Sequence, residues 1–288
     1  MGEFMEYNNL IYDEEVIKKF LAIMPEATPL ETYFISLSAR NKYLTEEERV
    51  EYGLGRTEMF HQQIVRHKDE IVKYIRRMET PSAAFTTKLG KPIPSKTIVC
   101  YINLFCSSTV KALEEFNSLM NRNLVQLAVN SIEGKSNIDA MKAINKAPKA
   151  LIDCYQRARG SSKFIDVDFD IPKSANLLVN IFCDNLAKKG VKSWVVDTKS
   201  GFHVLLHRAT LKHNFNLDID ETRKAASIIA KDENWGKWEV EKNENLMIAL
   251  PGTIQGGHKV SFYEYPWEDW KQYVIIKARI RNKASNEI

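Results

Sequence analysis

Asp166, Asp168 and Asp170 stand at alternate positions, with Ile165, Val167 and Phe169 between and beside them. A period of two is the repeat of a β-strand, which sends successive side chains to opposite faces. The apolar residues then face a core and the carboxylates share the other face, roughly 7 Å apart at the rise of a strand. Like charges at that spacing repel each other. A divalent cation relieves the repulsion, because carboxylate oxygens are the ligands that hard ions such as Mg²⁺ or Mn²⁺ take. A solvated strand at a sheet edge explains the same pattern without chemistry, so the neighbouring segments decide between the two.

Those segments read as an ordered set. Ser174 caps a helix ending at Gly190, with Leu177, Leu178, Ile181 and Leu186 as its apolar stripe. Ser193–Val196 is a strand. The tight connection Thr198-Lys199-Ser200-Gly201 leads into a second one over Phe202–Leu206. Residues 219–231 are helical, and Trp238–Glu241 is the next strand. The order β-α-β-β-α-β is the ferredoxin-like arrangement also used by RRM modules. Such a sheet seats its first strand between its third and fourth, with both helices on one face. The aspartate strand is therefore expected between the strand of His203 and the strand of Glu239 and Glu241. Ionisable groups from distant parts of the chain then converge on one face, which favours a metal site over an acidic edge.

Two divalent ions about 4 Å apart stabilise the attacking and leaving oxygens of a phosphoryl displacement. A phosphate-bearing substrate also needs donors. Ser200, the amides around Gly201, and His203 are candidates, since glycine lets a backbone approach phosphate closely. A histidine on a strand is by itself more often structural, and its place beside the acids is what singles it out. The glycine-rich turn from Leu250 to Lys259 is either a plain hairpin loop or a source of amides, Thr253, His258 and Lys259 for a nucleotide or template. Near the C-terminus, Lys277, Arg279 and Arg281 alternate with Ile276, Ala278 and Ile280. This gives a basic strand face, solvated or in contact with a nucleic-acid backbone. A helical phase through Trp267, Trp270, Val274 and Ala278 fits almost as well.

The preceding part reads as an α/β lobe. Asp13 caps a helix to about Met24, Thr32–Leu37 is a strand, and Thr45 with Glu48 forms a capping box. A long charged helix is expected from the Gly53 and Gly55 break to about Glu79. Thr97–Ile102 is a buried strand, and helices follow over 108–130 and from Ser136 or Asn137 to Gly160. The domain boundary is thus expected near 160, giving lobes of 1–160 and 161–288. The 288 residues, 44% of them hydrophobic, suffice for a sizeable core. A net charge of +4 permits nucleic-acid binding without requiring it. No run nears the about 18 apolar residues that span a bilayer, and no charged-then-apolar leader opens the chain. A soluble protein of the cytoplasm or nucleus, with no membrane partner, is expected. Cys100, Cys106, Cys154 and Cys183 are scattered, which argues against zinc and disulfides and for buried thiols.

Three short motifs in this order resemble the archaeo-eukaryotic primase superfamily of primase small subunits and primase-polymerases. They are Ile165-Asp166-Val167-Asp168, then Ser200-Gly201-Phe202-His203, then Trp238-Glu239-Val240-Glu241 followed by Leu250-Pro251-Gly252-Thr253-Ile254-Gln255. The resemblance covers about 163–260. It implies a two-lobed primase-like core, an N-terminal α/β lobe plus an RRM-like catalytic lobe. The implied activity is template-dependent nucleotide transfer that makes or extends primers from nucleoside triphosphates with Mg²⁺ or Mn²⁺ on a single-stranded DNA template. A helicase or larger primase subunit is the implied partner. Asp166 and Asp168 would carry the metals, Glu239 in preference to Glu241 would be the third acid, and Ser200 and His203 would hold the triphosphate. Gln255 departs from the histidine that often closes the Pro-Gly turn, and the zinc-binding insertion of many primases is absent. A catalytically silent RRM-like nucleic-acid-binding module and a metal-dependent nuclease are the alternatives.

Overall fold

A computed structural model describes residues 9–80, 84–211, 215–232, 238–243 and 246–265. The fold is mixed α/β with antiparallel sheets, and the chain divides into two compact units. One holds the described residues up to Phe164 and those of 246–261; the other holds 165–243 and 262–265.

In the first unit, α1 (Glu14–Ile23) starts at Asp13, whose carboxylate accepts from the amides of Glu15 and Val16. β1 (Glu31–Arg40) is the central strand. α2 (Glu46–Tyr52) opens with the expected capping box of Thr45 and Glu48. The long charged helix expected next does not form as one element. Its first half is β2 (Thr57–Val65), and only its second half is helical, as α3 (Ile71–Met78). Glu58, Met59 and Gln62 are good helix formers, but β2 pairs with β1 from Arg40↔Thr57 to Tyr33↔Val65. A ladder of that length outweighs helix preferences of about 0.1–0.7 kcal/mol per residue. β3 (Ile98–Asn103) and β4 (Phe105–Ser108) follow, and then α4 (Thr109–Ile132) capped by Ser108. The helix expected to reach Gly160 is α5 (Ile138–Asn145), α6 (Ala147–Arg157) and a strand, β5 (Arg159–Ser162). Gly160 caps nothing: a Cβ there would lie 2.2 Å from Glu31 Oε1 and 2.7 Å from the Cys106 carbonyl, so glycine lets β5 close on β4.

In the second unit, β6 (Phe164–Asp170) leads to α7 (Asn176–Lys188), β7 (Ser193–Thr198), β8 (Gly201–His207), α8 (Asn216–Asp232) and β9 (Glu239–Lys242). The spatial order β7-β8-β6-β9 seats the aspartate strand between the strands of His203 and Glu241, as the ferredoxin-like order requires. Ile165, Val167 and Phe169 form one core with Phe202, Val204, Leu206 and Val240 from the sheet and Leu178, Phe182 and Leu186 from α7. Phe169 and Phe182 meet edge to face at 5.3 Å. Ile181, expected in the α7 stripe, is instead 50% exposed, and Phe182 and Cys183 take its place. The helix begins at Asn176, with Ala175 rather than Ser174 at its cap.

The chain then returns to the first unit. β10 (Met247–Ala249) pairs antiparallel with β3, and β11 (Ile254–Gln255) and β12 (His258–Lys259) form a small hairpin. β13 (Ser261–Tyr265) adds to the second sheet beside β7. The first unit therefore extends four residues past the expected boundary and reclaims a later segment. All four cysteines are free and buried, and burial pushes the Cys100 and Cys183 thiols up to about 12. Among the described residues no helix is long and apolar enough to cross a membrane. Lys277, Arg279 and Arg281 lie outside the described residues.

Candidate active site

The core alternation assigns the opposite face of the second sheet. Phe202 and Val204 point into the core, so His203 between them projects from the other side. Val240 does the same for Glu239 and Glu241. β6 and β9 run antiparallel, with Asp168 across from Glu241 and Asp170 across from Glu239. One step on, the Asn243 amide donates to the Asp166 carbonyl at 2.9 Å. One face thus gathers Asp166, Asp168, Asp170, His203, Glu239, Glu241 and Asn243.

These groups are not equivalent. Asp166 is 0% exposed. A carboxylate buried without partners would cost several kcal/mol, roughly, and Asp166 is well supplied. His203 Nδ1 lies 3.2 Å from its Oδ1 and 3.0 Å from its Oδ2, and Asn243 Nδ2 donates to Oδ2 at 2.6 Å. His203 Nε2 is 3.8 Å from Asp168 Oδ1. Burial works against the imidazolium, but the charges of Asp166 and then Asp168 outweigh it and raise the His203 pKa to about 9. His203 is therefore a cation at neutral pH. It supplies from within the chain part of the positive charge that the aspartate spacing demands. The Asp168 side chain is 30% exposed and Glu241 is exposed, so the site grades from a closed Asp166–His203 pair to an open edge. Asn243 had a legible signal: it continues the period of two from Glu239 and Glu241.

The strand register also ranks the third acid. Glu239, preferred from sequence, faces Asp170, one pair further from Asp166. Glu241 is the one level with Asp168. Directly opposed residues on one face have Cβ atoms about 4.5–5.5 Å apart.

Gly201 opens β8 after the Lys199-Ser200 turn. A Cβ at Gly201 would lie 2.0 Å from the Phe169 carbonyl oxygen. The glycine lets β8 close on the aspartate strand, rather than leaving room for a phosphate. Its carbonyl accepts from Thr198 Oγ1 at 3.0 Å and from Lys173 Nζ at 2.7 Å. Gly201→Ala is expected to cost about 1–3 kcal/mol in urea unfolding. Wild-type stability in that variant would rule out a packing role for the glycine.

Thr253 and Lys259 fall in the first unit. Thr253 is fully buried, and its hydroxyl donates to the Leu250 carbonyl at 2.6 Å, which uses its one donor. Gly252, at φ 86°, accepts the amides of Tyr12 and Asp13 and so anchors the entry to α1. Gln255 Nε2 donates to the Tyr43 hydroxyl at 2.8 Å. The Lys259 ammonium lies 5.5 Å from the Tyr12 ring centroid. This turn is built into the packing of its own unit, and nothing in its bonding reserves a donor on Thr253 for a nucleotide.

Among the described residues, no group of three or more His, Cys, Asp or Glu is arranged to hold a metal ion. The oxygen donors of Asp168 and Glu241 suit a hard divalent cation in kind. Asp166 brings oxygens already engaged by His203 and Asn243. Comparison with protein-family models, with curated proteins and with solved structures finds no match to this chain.

Proposed function

We propose that this chain is a metal-dependent nucleotidyltransferase of the primase or primase-polymerase kind, with the sheet face of the second unit as its catalytic surface. The observation that carries the reading is the strand order. It seats β6 between β8 and β9 and so gathers Asp166, Asp168, His203 and Glu241 from three separate stretches of chain. In this reading Asp168 and Glu241, with Asp166 beside them, would hold Mg²⁺ or Mn²⁺. The ion supplies a Lewis acid that offsets charge on a transferring phosphoryl group. Asp166 orients the His203 ring and keeps it charged, which leaves Nε2 to donate to a phosphate oxygen. Ser200, in the turn just ahead of β8, is the second candidate for the triphosphate.

A silent RRM-like module stacks bases on aromatic residues exposed on its sheet face. This face carries carboxylates, which repel a nucleic-acid backbone. The test is incubation of the full chain with labelled nucleoside triphosphates, a single-stranded DNA template and Mn²⁺. Metal-dependent extension products are expected. Template cleavage instead would make the chain a nuclease, and binding without either product would make it a silent module.

A further inference from the structure

β1 carries a polar row that the acidic face does not use. Ser36, Ser38 and Arg40 alternate with the buried Ile35, Leu37 and Ala39, so they share one face of the first unit's sheet. β3 runs beside them, with Tyr101 across from Ser36 and Val99 across from Ser38. The Arg40 side chain reaches Tyr101 on β3. Its Nη1 donates to the Tyr101 hydroxyl at 2.6 Å, and its guanidinium carbon lies 6.0 Å from that ring's centroid. Ser36 and Ser38 are both 0% exposed. Neither hydroxyl has a hydrogen-bond partner, and neither has the buried Nε of Arg40. Among the described residues Arg40 has no carboxylate partner.

Alanine would fill the serine positions with no orphaned polar atom, so two buried hydroxyls on the same strand face as a guanidinium with no carboxylate partner among the described residues call for a ligand. The guanidinium only donates and the hydroxyls can donate, which selects an anion with several acceptor oxygens. The planar fork of arginine matches phosphate in two-point contact. Across from Ser36 on β2, Gln62 donates to Asp153 Oδ1 at 3.3 Å, so that side chain is already engaged.

We propose that Ser36, Ser38 and Arg40, with Tyr101, form a phosphate-binding site on the β1–β3 face of the first unit. The site is independent of the acidic face and of any metal. The phosphate is carried either by a small free phosphorylated ligand or by a nucleic-acid strand.

The test is calorimetric titration of the full chain in EDTA, which removes the acidic face's metal from the readout. One arm uses sodium pyrophosphate, the other a short single-stranded oligodeoxynucleotide without terminal phosphates. Binding in the first arm assigns a free phosphorylated ligand, and binding in the second assigns a strand. In the arm that binds, Arg40→Gln is expected to weaken affinity at least tenfold. The double variant Ser36→Ala with Ser38→Ala is expected to weaken it several-fold while the melting temperature holds or rises, because hydroxyls unbonded without ligand contribute nothing to the free fold. No binding in either arm overturns the proposal. So does unchanged affinity in the double serine variant, which would leave the hydroxyls as mere packing. Loss of polymerisation plays no part in this readout, so the two readings fail separately.

Discussion

Asp168→Asn is expected to lower the proposed nucleotide transfer by about 10²–10³-fold or more and to leave the melting temperature near wild type. Its side chain is 30% exposed and lies at the open edge of the site, so its charge is available to a cation and contributes little to folding. Asp166→Asn also loses activity, but for a second reason. Asp166 is wholly buried, and its carboxylate receives both His203 and Asn243. Removing that charge strands the His203 imidazolium, and breaking a buried pair costs about 3–5 kcal/mol. The expectation from spacing alone is that neutralising Asp166 or Asp168 relieves repulsion and, without metal, leaves stability unchanged or raised. For Asp166 the structure reverses it, because His203 already compensates that charge. The pH dependence follows the same pair. The folded-state pKa of His203 is raised from 6.5 to about 9. The pair's stabilisation is therefore complete below about pH 6.5 and is lost as pH rises through 9. Urea melts in EDTA between pH 6 and pH 10 should show wild type weakening across that window and Asp166→Asn flat. Near-wild-type transfer by Asp168→Asn sinks the catalytic assignment. A flat wild-type profile sinks the charged-pair account.

The parts legible in sequence were those written in local periodicity. The alternation from Ile165 to Asp170 predicts both the strand and its facing, and the βαββαβ order predicts which strands flank it. Together they bring His203 to Asp166 without any tertiary information. What could not be read depends on partners far along the chain. The ladder that holds Thr57–Val65 as a strand comes from β1, and the local residues favour a helix. The need for glycine at 201 comes from the Phe169 carbonyl, and at 160 from Glu31 and Cys106. The Leu250–Lys259 turn follows the acids in sequence yet packs with α1 and β3, so chain order placed it in the wrong unit. Charge was misjudged in the same way: a row of aspartates announces repulsion, while the imidazolium that relieves it arrives from β8, a helix and a strand further along the chain.

The third acid shows how register decides chemistry where composition does not. Glu239 and Glu241 sit on the same strand and the same face, so their side-chain type and facing are identical. The ladder separates them: Glu241 pairs with Asp168, and Glu239 pairs with Asp170 at the far end of the row. Glu241 directly opposes Asp168, one pair from Asp166, whereas Glu239 lies roughly 7 Å further along the strand, away from Asp166. Glu241→Gln is therefore expected to lower transfer by about 10²–10³-fold and to raise the Mn²⁺ concentration needed for half-maximal activity. Glu239→Gln should keep activity within about tenfold of wild type, as expected for a charge outside direct contact. Both side chains are at least partly exposed, so both variants should fold, and matched melting curves would confirm that activity differences are local. If Glu239→Gln is the inactive variant, the working register of β9 against β6 is shifted by two residues from the one described. If both variants polymerise normally in a Mn²⁺ titration, the face has no third acid. The nucleotidyltransferase reading then gives way to a binding module whose Asp166–His203 pair serves only to hold the sheet together.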